Sequence, residues 1–379
     1  MLRLIKQNIT GLKHPLYASL TLAFASLGDA FLYPFLPQYA DVVGIPAVWI
    51  GVLLSINRFI RIAFNHYVVK LYARFGVRQT TIAAAVCAIV STFGYSLGWG
   101  LISLLLFRML WGMSFAVLRI STMAYAFGHD CIGFSMGATK SVQELGPLFA
   151  LWIGPILLSG NSGEMSFFYL ALLSLPSLLY AFQLPELNYI VISAKSTRLS
   201  LPSLFNATTF LLSFITDGML IVVIGLLLVN KNAQLTDDTI ISLVAGYLAY
   251  RRISSIILAP ISGALADRIG FIQVFNRSLL SVVIGLIFLT IGWDMVGLIT
   301  IFTFNSVNSS IAPGGSLTNR KDKIQAVTTN ATWRDIGTAS GTLTGGLLLP
   351  SSLLSEALIT GIFMLVTVLL LHHRKLKKI

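Results

Sequence analysis

Residues 262–270 read Ser-Gly-Ala-Leu-Ala-Asp-Arg-Ile-Gly, and Leu265–Gly270 (LADRIG) echoes Leu71–Gly76 (LYARFG) at an offset of 194 residues. The same offset carries Arg58 onto Arg252. Two further correspondences flank this one. KSVQELG, ending at Gly146, aligns with ATWRDIG, ending at Gly337, which sets Glu144 over Asp335 at 191, and Asp29 falls over Asp217 at 188. The difference in offset is absorbed by a longer loop around NKNAQLTDDT. Self-similarity at one long period is the mark of a tandem duplication, here of about half the chain.

What was duplicated follows from composition. Of 379 residues, 56% are hydrophobic and 11% charged, and the mean hydropathy is +0.83. A spanning helix needs about 20 apolar residues, and twelve apolar runs occur, from 17–40 to 353–372. The chain reads as an all-α membrane protein of twelve transmembrane helices in two pseudo-symmetric six-helix halves. The halves are residues 1–184 and 204–379, the second ending in a basic cytoplasmic tail, and the polar stretch 185–203 is a cytoplasmic linker. With an even helix count both termini share one side. That side collects 18 of the 26 Lys and Arg, among them Lys70, Arg74, Lys140 and Arg268, whereas the opposite loops hold Lys231 and six acids. The asymmetry places both termini in the cytoplasm. The net charge of +12 is thereby topological and calls for no nucleic acid.

These residues resemble the major facilitator superfamily. Gly263, Leu265, Asp267, Arg268 and Gly270 fit its G-x-L-x-D-R-x-G-R loop after the second helix of a half. In the N-terminal copy Leu71, Arg74, Gly76 and Arg78 remain, but Val69 and Ala73 stand where glycine and aspartate belong. Arg108 and Gly112 fit an Arg-x-x-x-Gly motif of helix 4, and Gly146-Pro147 with Gly154-Pro155 partly fit a helix 5 pattern of exporters. The resemblance covers the whole chain. It implies helix 2 packed on helix 11, helix 5 on helix 8, and gating by Gly263, Asp267, Arg268, Gly270, Arg74 and Gly76. By likeness to proton-coupled efflux permeases it also implies a proton site where Asp29 faces Arg108, with Asp217 as its pseudo-symmetric second.

Seven arginines (Arg58, Arg61, Arg108, Arg119, Arg251, Arg252, Arg334) and four acids (Asp29, Glu144, Asp217, Asp335) fall within the spans. Each ionised group at bilayer depth costs roughly 2.5 to 3.5 kcal/mol, so they require partners or water. The repeat, with the implied helix packing, predicts two charge pairs across the halves: Arg58 with Asp335 and Arg252 with Glu144. The surplus of guanidinium groups predicts an anionic solute, because the planar fork binds carboxylate or phosphate bidentately. Substrate candidates are Arg58 and Arg61, one turn apart, with Asn57, Tyr250, Arg252, Asn305 and Trp333. One of the neighbours Arg251 and Arg252 is expected to face elsewhere, Arg119 to snorkel from the helix end, and Pro34 and Pro37 to bend the first helix.

The reading is a secondary active transporter of a small polar anionic organic solute, working by alternating access and proton antiport, hence efflux. The alternatives are a symporter importing an organic anion or carboxylate siderophore, and efflux of drug-like cations on Asp29 and Asp217. A lipid-modifying enzyme would gather its acids, histidines and serines into one compact cluster; here they are spread over many helices. GFSMGATKS lacks the glycine that precedes the lysine of a phosphate-binding loop, Thr139 standing in its place. Cys87 and Cys131 suggest neither disulfide nor metal site. The expected partners are the solute, protons and the lipid bilayer of a bacterial inner membrane. No cofactor or metal is expected, the proton gradient supplies the energy, and the chain acts as a monomer.

Overall fold

Hydrocarbon offers no water to backbone amides, so a spanning chain must close its hydrogen bonds within itself. The computed structural model describes residues 11–39, 45–46, 48–98, 100–187, 201–231, 237–317, 323–348 and 354–376, and all regular structure among them is helical. Helix α1 (Lys13–Ala25) and α2 (Leu27–Tyr39) form one interrupted rod. The interruption lies at Ser26, and α2 runs on as one helix through Pro34 and Pro37. The Ser26 hydroxyl donates to the Ala23 carbonyl (2.8 Å) and its amide is shared between the carbonyls of Leu22 and Ala23. A hydroxyl competing for the i−3 acceptor tightens the turn locally.

Helices α3 (Val48–Phe75), α4 (Val77–Tyr95), α5 (Gly100–Ala126) and α6 (Ile132–Gly160) follow. Then come α7 (Gly163–Ser174) and α8 (Pro176–Phe182), which starts on a proline, where the missing amide costs nothing. After the linker, Ser203 caps α9 (Leu204–Leu212), which passes through a π-helical segment, Ser213–Met219, into α10 (Leu220–Lys231). The remaining helices are α11 (Asp237–Ile269), α12 (Phe271–Thr290), α13 (Asp294–Gly315), α14 (Lys323–Leu348) and α15 (Leu354–Leu376). The repeat-related Gly76 and Gly270 have φ of 81° and 96° and turn α3 into α4 and α11 into α12, a conformation that favours glycine.

Among the described residues eight helical spans are long and apolar enough to cross a membrane, so this is an integral multi-pass membrane protein. The three longest of the others, α3, α11 and α14, fall short because they carry Arg58, Arg61, Arg251, Arg252, Arg334 and Asp335. These polar helices form the seams between the N-terminal helices (α1–α8) and the C-terminal ones (α9–α15): α6 runs along α11, and α3 along α14. Small residues set the spacing. A Cβ on Gly146 would strike the Ala23 carbonyl of α1, and one on its repeat equivalent Gly337 would strike the Phe210 carbonyl of α9. One end of the molecule is packed shut. There the backbones of Gly133 and Gly263 touch, and Ile324 and Val327 of α14 join a core with Val68, Val69, Met123 and Leu187. This end also bears the exposed Lys70, Arg74 and Arg268.

Candidate functional site

Four acids lie inside this helical body, each tied to arginine or lysine. On the α3–α14 seam, Asp335 accepts both ends of the Arg119 fork at 3.1 and 2.6 Å and the Asn65 amide at 3.1 Å, with Arg61 at 3.5 Å. Arg61 and Arg119 both stack on Phe115, at 4.8 and 5.6 Å from its ring centre, which orients the two guanidinium planes. On the α6–α11 seam, Glu144 accepts Lys140 from one turn earlier on the same helix and Arg252 from across the seam at 3.0 Å. Within the C-terminal helices, Asp217 sits in the π-helical segment of the first rod. It accepts Arg251 at 2.5 Å, Arg334 at 3.0 Å and Asn305 at 2.9 Å.

Asp29 differs, because among the described residues its one ion-pair partner is Arg108. Arg108 is fully buried and held on three sides: it donates to the carbonyls of Leu53 (2.9 Å) and Leu54 (3.3 Å), and lies 5.5 Å from the Tyr33 ring. The reach depends on Gly112 one turn later, where a Cβ would come within 2.9 Å of the Asn57 carbonyl. The Arg-x-x-x-Gly spacing thus has a physical basis: the glycine lets α5 approach α3, and the arginine uses the proximity.

Two small adjoining chambers lie among these groups. The first, about 80 Å³, is lined by Lys140, Glu144, Arg251, Arg252 and Arg334, with Ser255, Asn305, Ser306 and Ser309. The second, about 60 Å³, adds Arg119, Gln143 and Asn330 to an apolar wall, and the two share Lys140, Ser309 and Arg334. At the shut end, the Asp267 carboxylate accepts the Gly133 and Phe134 amides at 2.7 and 2.8 Å, capping the start of α6. A carboxylate at a helix N-terminus meets both free amides and the positive end of the dipole. Arg74 and Arg268 are exposed there.

The sequence matches no family model, and no curated protein matches it. Its structure is similar to the crystal structure of the human organic anion transporter MFSD10 (TETRAN), with a TM-score of 0.69 at 16% identity over 97% of this chain and 99% of that one. The chain has the major facilitator fold. The helix contacts which the resemblance implied, α3 with α14 and α6 with α11, are present.

The fold brings Arg252 to Glu144, the pair that the repeat predicts, but not Arg58 to Asp335. Arg58 instead donates to the Thr342 hydroxyl at 2.9 Å, and its place beside Asp335 is taken by Arg61 and by Arg119. Arg119 therefore does not snorkel; α5 points it across the seam. Neither Arg251 nor Arg252 faces away, since one holds Asp217 and the other Glu144. Of the substrate candidates, Arg252 and Asn305 line the first chamber. Arg58, Arg61, Asn57, Tyr250 and Trp333 line neither. Tyr250 bonds Thr303 at 2.6 Å, and Trp333 packs edge-on against Phe210.

Lys140 is the residue that the sequence reading misplaced. Counted with the loops, it lies inside α6 and lines both chambers. Its spacing of four from Glu144 in KSVQE was the available signal, since i and i+4 share a helix face.

Proposed function

We propose that this chain is a secondary active transporter that moves a small polar organic anion through the two chambers by rocking residues 1–184 against residues 204–379. One observation carries the reading: the chambers are walled by Lys140, Arg251, Arg252, Arg334 and Arg119, while the acids facing or backing them are already engaged. An anion arriving there finds donors that need little reorganisation, which is the general requirement for economical binding. Glu144 and Asp335 join the seams, so an anion that draws Arg252 or Arg119 to itself loosens the contact on which one conformation depends. The solved organic anion transporter of similar fold is consistent with this class of solute.

In the full proposal, twelve spans cross a bacterial inner membrane with both termini cytoplasmic, and the shut, basic end faces the cytoplasm, so this form opens outward. Transport is by proton antiport in a single chain. Asp29 is the proton site, because a proton there displaces a single ion pair, whereas Asp217, Glu144 and Asp335 would each give up two.

The test is transport by the purified protein in proteoliposomes under an imposed pH gradient, with a panel of organic anions and cations. Proton-driven anion accumulation, lost in Arg334→Gln and uncoupled from pH in Asp29→Asn, is the expected result. Cation transport lost in Asp217→Asn, with no anion moved, would overturn it.

A further inference from the structure

The two chambers differ in chemistry, and the difference addresses which anions fit. Around the first stand four cations, Lys140, Arg251, Arg252 and Arg334, against two acids, Glu144 in its wall and Asp217 behind Arg251 and Arg334. Two positive charges in that group are left without a protein counter-charge. The second chamber continues past Lys140, Ser309 and Arg334 along Ile120, Met123, Pro313, Val327 and Ala331. Ile120, Met123 and Val327 are buried side chains, and Val327 belongs to the core that shuts the closed end. A polar pocket with a surplus of two charges thus shares a wall with one that has an apolar side.

We propose that the site takes an organic dianion head first, its two negative charges in the first chamber and a short apolar body along Ile120, Met123 and Val327 in the second. The inference rests on the anion reading above and narrows it. A monoanion leaves one cation of the head chamber unneutralised at membrane depth, where uncompensated charge is expensive. A dianion without a body leaves the apolar wall facing water, forgoing the transfer energy of each methylene. The head chemistry is shared by phosphate monoesters and dicarboxylates, and the probes include both.

The experiment is calorimetric titration of the full chain in detergent with five probes: butyl phosphate, butylmalonate, pentanoate, inorganic phosphate and butylamine. At about pH 8 a phosphate monoester is fully dianionic. Butyl phosphate and butylmalonate are expected to bind about tenfold more tightly than pentanoate, and butyl phosphate about tenfold more tightly than inorganic phosphate, a 1.4 kcal/mol difference in each case. Lys140→Gln should bring the dianion-to-monoanion ratio below about threefold, with Lys140→Arg restoring it, since either cation neutralises the head. Val327→Thr should reduce only the advantage of the butyl chain. A stronger response to butyl phosphate than to butylmalonate, or the reverse, tells phosphate from carboxylate heads within the class. Pentanoate binding as tightly as both dianions overturns this proposal and leaves the anion reading standing. Inorganic phosphate equalling butyl phosphate removes the apolar body. Butylamine binding alone, or none of the five binding, overturns the anion reading and this proposal with it.

Discussion

The two seams of this molecule occupy equivalent places in the repeat and are built differently. Along α6 and α11 the backbones meet: Gly133 against Gly263, then Gly137 against Ala259, then the Ser141 hydroxyl on the Ile256 carbonyl at 2.6 Å, and only then a charge pair, Glu144 with Arg252. Along α3 and α14 the contacts are made by side chains: Asn65 and Arg61 on Asp335, Arg58 on Thr342, and Arg119 entering from α5. The repeat explains the divergence. Gly263 has Val69 as its counterpart and Asp267 has Ala73, so the α3 copy lacks both the residue that permits close approach and the one that caps the opposite helix. The self-similar segments correspond in position. They do not hold on by the same means: one seam is a backbone latch and the other a charge cluster.

The largest effect should come from removing the centre of the charge cluster. Asp335→Ala leaves the partly buried Arg61 and Arg119 without their acid and should cost about 3 kcal/mol, read as thermal unfolding in detergent. Pairing it with Arg119→Met should recover a large part of the loss; a strictly additive double variant would show that the two groups are not coupled.

Breaking the latch comes next. Gly263→Val drives a side chain into the Gly133 backbone. In a protein whose two cysteines are first replaced, Ser309→Cys should then react about tenfold faster with an impermeant thiol reagent from the shut end, a population shift of about 1.4 kcal/mol. Unchanged labelling would mean that the Gly133–Gly263 contact does not control access to the chambers.

Asp267→Asn keeps the shape of the α6 cap and removes its charge, and should cost about 1 to 2 kcal/mol. Arg58→Gln should be the mildest, about 0.5 to 1.5 kcal/mol, since it gives up a hydrogen bond to a hydroxyl and orphans no acid. If Arg58→Gln proved as harmful as Asp335→Ala, the pairing that the repeat predicts would be the one that matters in another conformation.

Much of this architecture is legible in the chain before any coordinates. Helices α3, α11 and α14 are the polar ones that carry Arg58, Arg61, Arg251, Arg252 and Arg334, and the packing of α3 on α14 and of α6 on α11 is what the resemblance implied. The Arg108–Gly112 spacing, the Gly146 and Gly337 contacts and the turns at Gly76 and Gly270 lie where the motifs put them. The misreadings share one cause. A hydropathy reading supplies depth only to within a few residues, and Arg58 and Arg61 lie one turn apart while Arg119 comes from another helix. Which of them touches the carboxylate depends on the axial register and rotation of the helices.

By itself the sequence determined the solvent and the helical solution to it, and it carries the self-similar segments, because apolar length, charge and self-similarity are properties of a one-dimensional string. It determined as well that four acids and a larger number of arginines would have to share the interior. Only the tertiary structure decided who pairs with whom. Each residue step turns a helix face by about 100° and advances it by about 1.5 Å, so the axial register of α3 on α14 sets Arg61 rather than Arg58 beside Asp335, the turn between neighbours lets Arg251 and Arg252 serve different acids, and the length of α6 carries Lys140 into the wall of both chambers.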